Sequence, residues 1–194
     1  MSEISPKLSP TLWRTCRVLA NKTRLKCLKL VIDNPDICVT DVAAALGTTE
    51  DEASKALRAL QSRGLISARR VSRWVLYFPS PDPLVDSAKH FLKAVSKALH
   101  DDETYNIMDI ERACTAYTHV RRIAIIRLLY YSSPMSISSI ETATGYSFQA
   151  IKRHLAKLVD RQIVSENEGA YSFCEPKDPF QKQLLRIILN AQTA

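Results

Sequence analysis

The stretch GTTEDEASKALRALQSRGLIS (Gly47–Ser67) decides the fold, because a second version follows 98 residues later as GYSFQAIKRHLAKLVDRQIVS (Gly145–Ser165). The two stretches align without a gap, and their apolar positions coincide although few residues are identical. In both, these positions recur at helical spacing a few residues after the opening glycine, which is typical of a turn that leads into a helix. We therefore interpret the chain as two related halves.

The same offset aligns the residues that precede this stretch, so each half predicts the same order of helices. A first helix is followed by a long helix, and a short helix then ends at the glycine. We expect Asn34-Pro35 and Ser133-Pro134 to end the long helices, and Thr40 and Ser138 to be the N-caps of the short ones. The segments that carry these predictions are SPTLWRTCRVLA (9–20) and IERACTAY (110–117), RLKCLKLV (24–31) and RIAIIRLL (122–129), and VTDVAAALG (39–47) and ISSIETATG (137–145).

Each half closes with two short strands that we expect to form a wing. The returning strands are predicted at VLYF (75–78) and AYSF (170–173), after a polar tip. The predicted fold is mainly α with small two-stranded β-wings, as a tandem duplication of a winged helix-turn-helix module. The predicted domains are residues 8–100 and 108–194, with a linker at 101–107.

LANKTRLKCLKLV (19–31), RRIAIIRLL (121–129) and SFQAIKRHLAKLVDRQIV (147–164) resemble the winged-helix modules of ArsR/SmtB-type bacterial regulators. The resemblance covers nearly the whole chain as two tandem modules. It implies a DNA-binding transcriptional regulator of repressor type whose partner is double-stranded DNA. Relatives of this type dimerise through their first and last helices, so a homodimer and an intramolecular pseudo-dimer are both open.

The net charge of +7 and the pI near 9.2 are compatible with a nucleic-acid partner. Residues 1–100 hold 16 Lys and Arg against 9 Asp and Glu, whereas residues 101–194 hold 11 of each. The second half therefore has to contact anions through cations at particular positions.

The aligned helix of the second half is the better candidate for reading DNA. Its inward positions are Ile151, Leu155 and Leu158, which leaves a polar face whose amide can pair with adenine and whose arginine with guanine. A merely solvated face is the alternative, and both packing and DNA contact are open for His154. The residues predicted to touch DNA here are Ser147, Gln149, Lys152 and Arg153.

In the first half, the wing is a better candidate for contacting DNA than the aligned helix. Its aligned helix begins with three acids, Glu50–Glu52, which suit a helix N-terminus but repel phosphates. Whether this helix reads DNA is left open, whereas its wing tip is basic and suits phosphates or a minor groove. The residues predicted to touch DNA in this half are Lys55 and Arg58 on the helix and Arg69, Arg70 and Arg73 on the wing.

Two stretches bear on metal sensing, and neither predicts a metal site. One thiolate site of ArsR-type regulators has a Cys-x-Cys pattern, but here Thr40 follows Cys38 at the second position. A second site of the family uses Asp/His and His/Glu pairs on the last helix. Asp86 and His90 do not keep the spacing of the first pair, and His100 and Glu103, three apart on one helical face, are explained equally well by a solvated amphipathic helix. No cofactor is predicted either.

The remaining patterns narrow the class of protein. Five scattered cysteines without a CxxC pair favour a reducing cytoplasm, and no apolar run suits a membrane. With four glycines and no recognisable phosphate loop or nucleophile motif, we expect no enzyme. Two alternatives to the regulator stay open: a protein-interaction scaffold built from winged helices, and a metal-responsive repressor.

Overall fold

The computed structural model describes residues 12–101 and 103–190. The start of the first predicted helix (9–11), the outer ends of both predicted domains and Asp102 of the linker lie outside the described residues. The first half contains α1 (Leu12–Leu19), α2 (Lys22–Asp33), β1 (Ile37–Cys38), α3 (Val39–Leu46), α4 (Glu50–Gln61), β2 (Ser67–Val71), β3 (Trp74–Phe78) and α5 (Ala88–His100). The second half contains α6 (Ile107–Thr115), α7 (Val120–Ser132), β4 (Met135–Ser136), α8 (Ile137–Thr144), α9 (Phe148–Asp160), β5 (Val164–Asn167), β6 (Ala170–Phe173) and α10 (Pro179–Asn190).

The predicted ends of the helices are confirmed. The long helices α2 and α7 stop directly before Asn34-Pro35 and Ser133-Pro134, because proline cannot continue a helix. The short helices α3 and α8 end at Gly47 and Gly145, whose φ angles of 62° and 68° lie in the left-handed region that glycine adopts without strain.

The predicted N-caps of the short helices are wrong by two residues. Cys38 and Ser136 stand at these positions instead of Thr40 and Ser138, because each short helix follows directly on a two-residue strand. The side chain of Ser136 accepts a hydrogen bond from the Ser139 backbone N–H, whereas Cys38 makes no such bond.

Both sheets have one strand more than the sequence predicts. Strand β1 joins the wing of the first half in the order β1-β3-β2, and β4 joins the other in the order β4-β6-β5. All pairs are antiparallel, with Cys38 opposite Leu76 and Ser136 opposite Ala170. The two predicted strands of each wing are present as the antiparallel pairs β2-β3 and β5-β6. The third strand of each sheet was not predicted, because a strand of two residues is too short to show any alternation of apolar and polar positions.

One apolar core runs through both halves of this mainly helical fold. Helix α6 packs on α1 and α2 of the first half, and α10 packs on α5. Cys16 and Cys114, from α1 and α6, are fully buried in this core. Among the described helices none has the length and apolarity needed to cross a membrane.

Candidate nucleic-acid interface

Helix α9 divides into a buried and an exposed face, as its sequence pattern predicts. Ile151, Leu155 and Leu158 have no exposed surface, so burying them anchors the helix to the core. The four residues predicted to touch DNA are all exposed, and none of them makes a side-chain hydrogen bond or an ion pair with another described residue: Ser147, Gln149, Lys152 and Arg153. Their polar groups are thus available to a ligand.

The start of α9 leaves the Ser147 hydroxyl unused. Ser147 is the N-cap, with φ −64° and ψ 149°, yet its side chain makes no capping bond. The Phe148 backbone N–H donates instead to Oε1 of Glu141 at 3.1 Å. Phe148 itself lies beside the predicted contacts and is 46% exposed. Sequence reasoning did not predict it as a contact residue, although it stands at the start of the helix.

The three acids at the start of α4 have partners within their own neighbourhood. Thr49 and Glu52 form a capping box, in which the Thr49 hydroxyl accepts from the Glu52 backbone N–H. Hydrogen bonds from Thr48 and Thr49 lower the pKa of the Glu52 carboxyl. Glu50 accepts from the Thr40 hydroxyl at 3.1 Å. These acids therefore stabilise the helix start.

The two cations of α4 are also engaged inside the helix. Lys55 Nζ lies 2.6 Å from Asp51 Oδ2, and the Arg58 guanidinium donates to Ser54 Oγ at 2.7 and 3.1 Å. Both cations are exposed, so these contacts contribute little to stability. Each bond nevertheless has to be replaced before the side chain can contact DNA, which distinguishes α4 from α9.

The three arginines of the wing in the first half are exposed, but one of them is engaged in an ion pair. Arg69 forms a two-pronged ion pair with Asp36, with nitrogen–oxygen distances of 2.6 and 3.0 Å. Among the described residues, the Arg70 side chain donates only to the Ser72 carbonyl, at 3.3 Å, and the Arg73 guanidinium lies 5.2 Å from the ring centroid of Trp74. Sequence reasoning missed the ion pair, because Asp36 lies 33 residues before its partner.

The wing of the second half has the opposite charge. Glu166 and Glu168 are exposed at its tip, where Glu168 has a φ of 50°. An acidic tip repels phosphates. The basic wing and the helix that carries the unpaired Lys152 and Arg153 therefore lie in different halves of the chain.

His154 is packed, and its partner is another histidine. It is only 4% exposed, and its ring centroid lies 4.5 Å from that of His119, the N-cap of α7. Its Nε2 atom is buried without a hydrogen-bond partner among the described residues. Burial, followed by the neighbouring His119 and arginines, lowers the pKa of His154 to about 4, so its ring is neutral at pH 7.

Cys38 and His100, two of the residues in the stretches that bear on metal sensing, have other partners. Cys38 Sγ donates to Asp41 Oδ2 at 3.0 Å, and His100 contacts the Ser96 carbonyl and the Asp33 carboxylate at 2.7 and 2.9 Å. His90 is exposed on α5. Within residues 12–101 and 103–190, no group of three or more His, Cys, Asp or Glu residues could hold a metal ion.

Comparison with known proteins finds relatives for about a third of the chain. It is 34% identical over 65 residues to the arsenical resistance operon repressor of Escherichia coli, covering 34% of this chain and 56% of that protein. It is 30% identical over 64 residues to the arsenic resistance transcriptional regulator ArsR2 of Pseudomonas putida, covering 33% of this chain and 56% of the relative. The chain therefore shares a segment with ArsR-type repressors.

Two further proteins also match only a part of this chain. A putative arsenical resistance operon repressor of Halobacterium salinarum is 32% identical over 63 residues, 32% of this chain and 53% of that protein. Among solved structures, reduced HlyU from Vibrio cholerae has a TM-score of 0.32 and 23% identity, covering 40% of this chain and 80% of HlyU. The chain spans about half the length of the curated relatives it matches. No family model matches it.

Proposed function

We propose that this chain is a cytoplasmic DNA-binding transcriptional regulator of repressor type. The observation that carries the proposal is the exposed face of α9, where Ser147, Gln149, Lys152 and Arg153 have no partner among the described residues. The partial similarity to arsenical resistance repressors supports the same reading of the chain. In this proposal α9 lies in the major groove of double-stranded DNA.

The proposal includes a tandem duplication of a winged-helix module, with modules at 8–100 and 108–194 and a linker at 101–107. Three observations support it. After its first helix, each half runs helix, strand, two helices, two strands and helix, and the strand orders β1-β3-β2 and β4-β6-β5 correspond. The left-handed glycines that end α3 and α8 are also 98 residues apart.

The chemistry of α9 assigns its residues different tasks. The Gln149 amide is suited to the two hydrogen-bonding groups of adenine, and the Arg153 guanidinium to those of guanine. Lys152 is suited to a phosphate, which contributes affinity without sequence preference. Ser147 can donate or accept, and the exposed Phe148 ring suits a thymine methyl group.

The first module contributes through its wing in this proposal. Arg70 and Arg73 have no carboxylate partner among the described residues and suit DNA phosphates or a minor groove. Arg69 joins them only when it leaves Asp36. Lys55 and Arg58 contribute less, because they first have to exchange their partners within α4. The acids of α4 then serve the fold rather than the DNA.

A protein-interaction scaffold is the second candidate, and one observation favours it. Tyr131 is 74% exposed and packs edge-on against Tyr130, which in turn meets the ring of Phe173 at 5.2 Å between centroids. Exposed aromatic clusters are typical of protein interfaces. As a scaffold the chain would bind DNA no better than other proteins of its charge.

A salt-dependent DNA titration tests the proposal against the scaffold. We expect submicromolar affinity for double-stranded DNA at about 0.1 M salt, measured by fluorescence anisotropy. Arg153→Ala should weaken binding about 10-fold, and the Arg69→Ala, Arg70→Ala double variant should reduce its salt dependence. Arg186→Ala, on the exposed side of α10, is the control of equal charge. Affinity no higher than that of an unrelated protein of net charge +7 would refute the proposal.

A further inference from the structure

Six basic side chains gather where α7 begins beside the middle of α9. The rings of His119 and His154 pack together with centroids 4.5 Å apart. The Arg121 guanidinium lies 5.1 Å from the ring centroid of Tyr146, just before α9. The members of this basic cluster are Arg17 of α1, His119, Arg121 and Arg122 at the start of α7, and Arg153 and His154 of α9.

Among the described residues, the main charges that act on the two histidines of this cluster include no carboxylate. The charged groups that act on His119 are all arginines: Arg122, Arg121, Arg153 and Arg17. Those that act on His154 are His119 and three of the same arginines. Burial and these cations together lower the pKa of both histidines, so the cluster at pH 7 consists of guanidinium charges around neutral imidazoles. The guanidinium charges around the two histidines repel one another.

The cluster also contains buried polar atoms that the protein leaves unpaired. Arg122 Nε and His154 Nε2 have no hydrogen-bond partner among the described residues, although both atoms are buried. The Arg122 guanidinium donates through Nη2 to the Thr118 hydroxyl, which carries no charge. A solvated surface patch would not contain such atoms, because unpaired buried donors and acceptors destabilise a fold.

The start of α7 adds donors of the same kind. His119 Nδ1 accepts from the Arg121 backbone N–H at 3.1 Å, so the proton of the neutral ring is on Nε2, which makes that atom a donor. Helix α7 has 13 residues, and the N-terminus of a helix carries partial positive charge. Guanidinium, imidazole and backbone N–H groups together match the oxygens of a tetrahedral oxyanion.

We propose that the basic cluster is an oxyanion-binding site for a group of the phosphate class. The cluster shares Arg153 with the exposed face of α9 and adjoins Lys152, so a phosphate of the DNA backbone is the occupant that the geometry favours. In that form the inference rests on the proposed function. A free phosphate ion presents the same oxygens and is the other source of the ligand.

Two measurements on the full chain separate these sources. In the first, inorganic phosphate is compared with chloride at equal ionic strength, following the imidazole signals of His119 and His154 by NMR and the melting temperature. Phosphate at about ten times its dissociation constant should raise the melting temperature by about 4 °C. In the second, DNA affinity is measured by anisotropy over a range of salt concentrations.

Two variants of the cluster, one variant of the exposed face of α9 (Lys152→Ala) and one control complete the design. Arg121→Gln removes an exposed charge outside the predicted reading residues, and His119→Asn removes the imidazole but keeps an N-cap, since Asn21 caps α2 in the same way. Arg186→Gln on α10 removes an equal charge elsewhere. In Arg121→Gln we expect the phosphate response to vanish, DNA affinity to fall about 5-fold, and the slope of log affinity against log salt to lessen by about 0.9.

Each outcome decides a different point. If only the cluster variants lose the phosphate response and they bind DNA like the wild type, the ligand is a free oxyanion. If the wild type shows this phosphate response but binds no DNA, the ligand is again a free oxyanion, and only the proposed function is refuted. A loss of DNA affinity and slope specific to Arg121→Gln assigns the site to the DNA backbone. The inference is overturned if phosphate acts like chloride and Arg121→Gln binds DNA like Arg186→Gln, even when Lys152→Ala weakens DNA binding.

Discussion

His154 should make the stability of the protein depend on pH in a way that one substitution removes. The perturbation is a change from pH 7 to pH 5 in the wild type and in His154→Leu. Leucine fills much of the same buried space without a titrating group, and the first half has the apolar Ala56 at the corresponding position. The difference between the two pH profiles therefore isolates the buried imidazole.

The magnitude follows from the lowered pKa of His154. In the folded state this pKa is about 4, because burial and nearby cations disfavour the charged ring, whereas an unfolded chain has the ordinary value of about 6.5. Between these values the unfolded chain binds a proton that the folded chain does not. Stability is thus highest above pH 6.5 and falls as the pH falls toward 4, by about 2 kcal/mol between pH 7 and pH 5.

Urea unfolding followed by circular dichroism at half-unit steps from pH 7 to pH 5 measures this loss. We expect the free energy of unfolding of the wild type to fall about 2 kcal/mol further than that of His154→Leu over the interval. Any constant offset between the proteins cancels, because only the pH dependence is compared. Parallel profiles, or a His154 NMR titration centred near its ordinary pKa, would refute the reasoning.

Two further predictions test the role of neighbouring side chains in the first half. Asp36→Asn should free Arg69 for DNA and make the salt slope of DNA binding steeper by about 0.9 in anisotropy titrations, and an unchanged slope would show that the ion pair does not compete with DNA; asparagine tolerates the φ of 70° at this position. Thr49→Ala should lower the free energy of unfolding by about 1 kcal/mol in urea, because it removes the hydroxyl of the capping box, while Thr49→Ser should retain it.

The sequence predicts local structure well where the signal lies within one or two helical turns. The burial of Ile151, Leu155 and Leu158 follows from their spacing, and the left-handed glycines after α3 and α8 follow from the break in the pattern. The function of the three acids of α4 was also within reach, since Thr49 and Glu52 have the spacing of a capping box.

The missed features depend on contacts between distant parts of the chain. Arg69 pairs with Asp36 across 33 residues, and His154 packs on His119 across 35. Nothing in the local pattern of either residue records its partner, because the fold alone brings them together. The basic cluster is for the same reason a feature of the structure and not of any one motif.

The exposed face of α9 is the centre of this account, and a selection of binding sites from a random pool of DNA duplexes tests it most directly. We predict that the wild type enriches a defined sequence, that Gln149→Ala loses the preference at one position, and that Lys152→Gln keeps the sequence but binds it more weakly. Enrichment of no sequence by the wild type would contradict the account. It would also be contradicted if Gln149→Ala enriched the same sequence with unchanged preference and Lys152→Gln bound it with unchanged affinity.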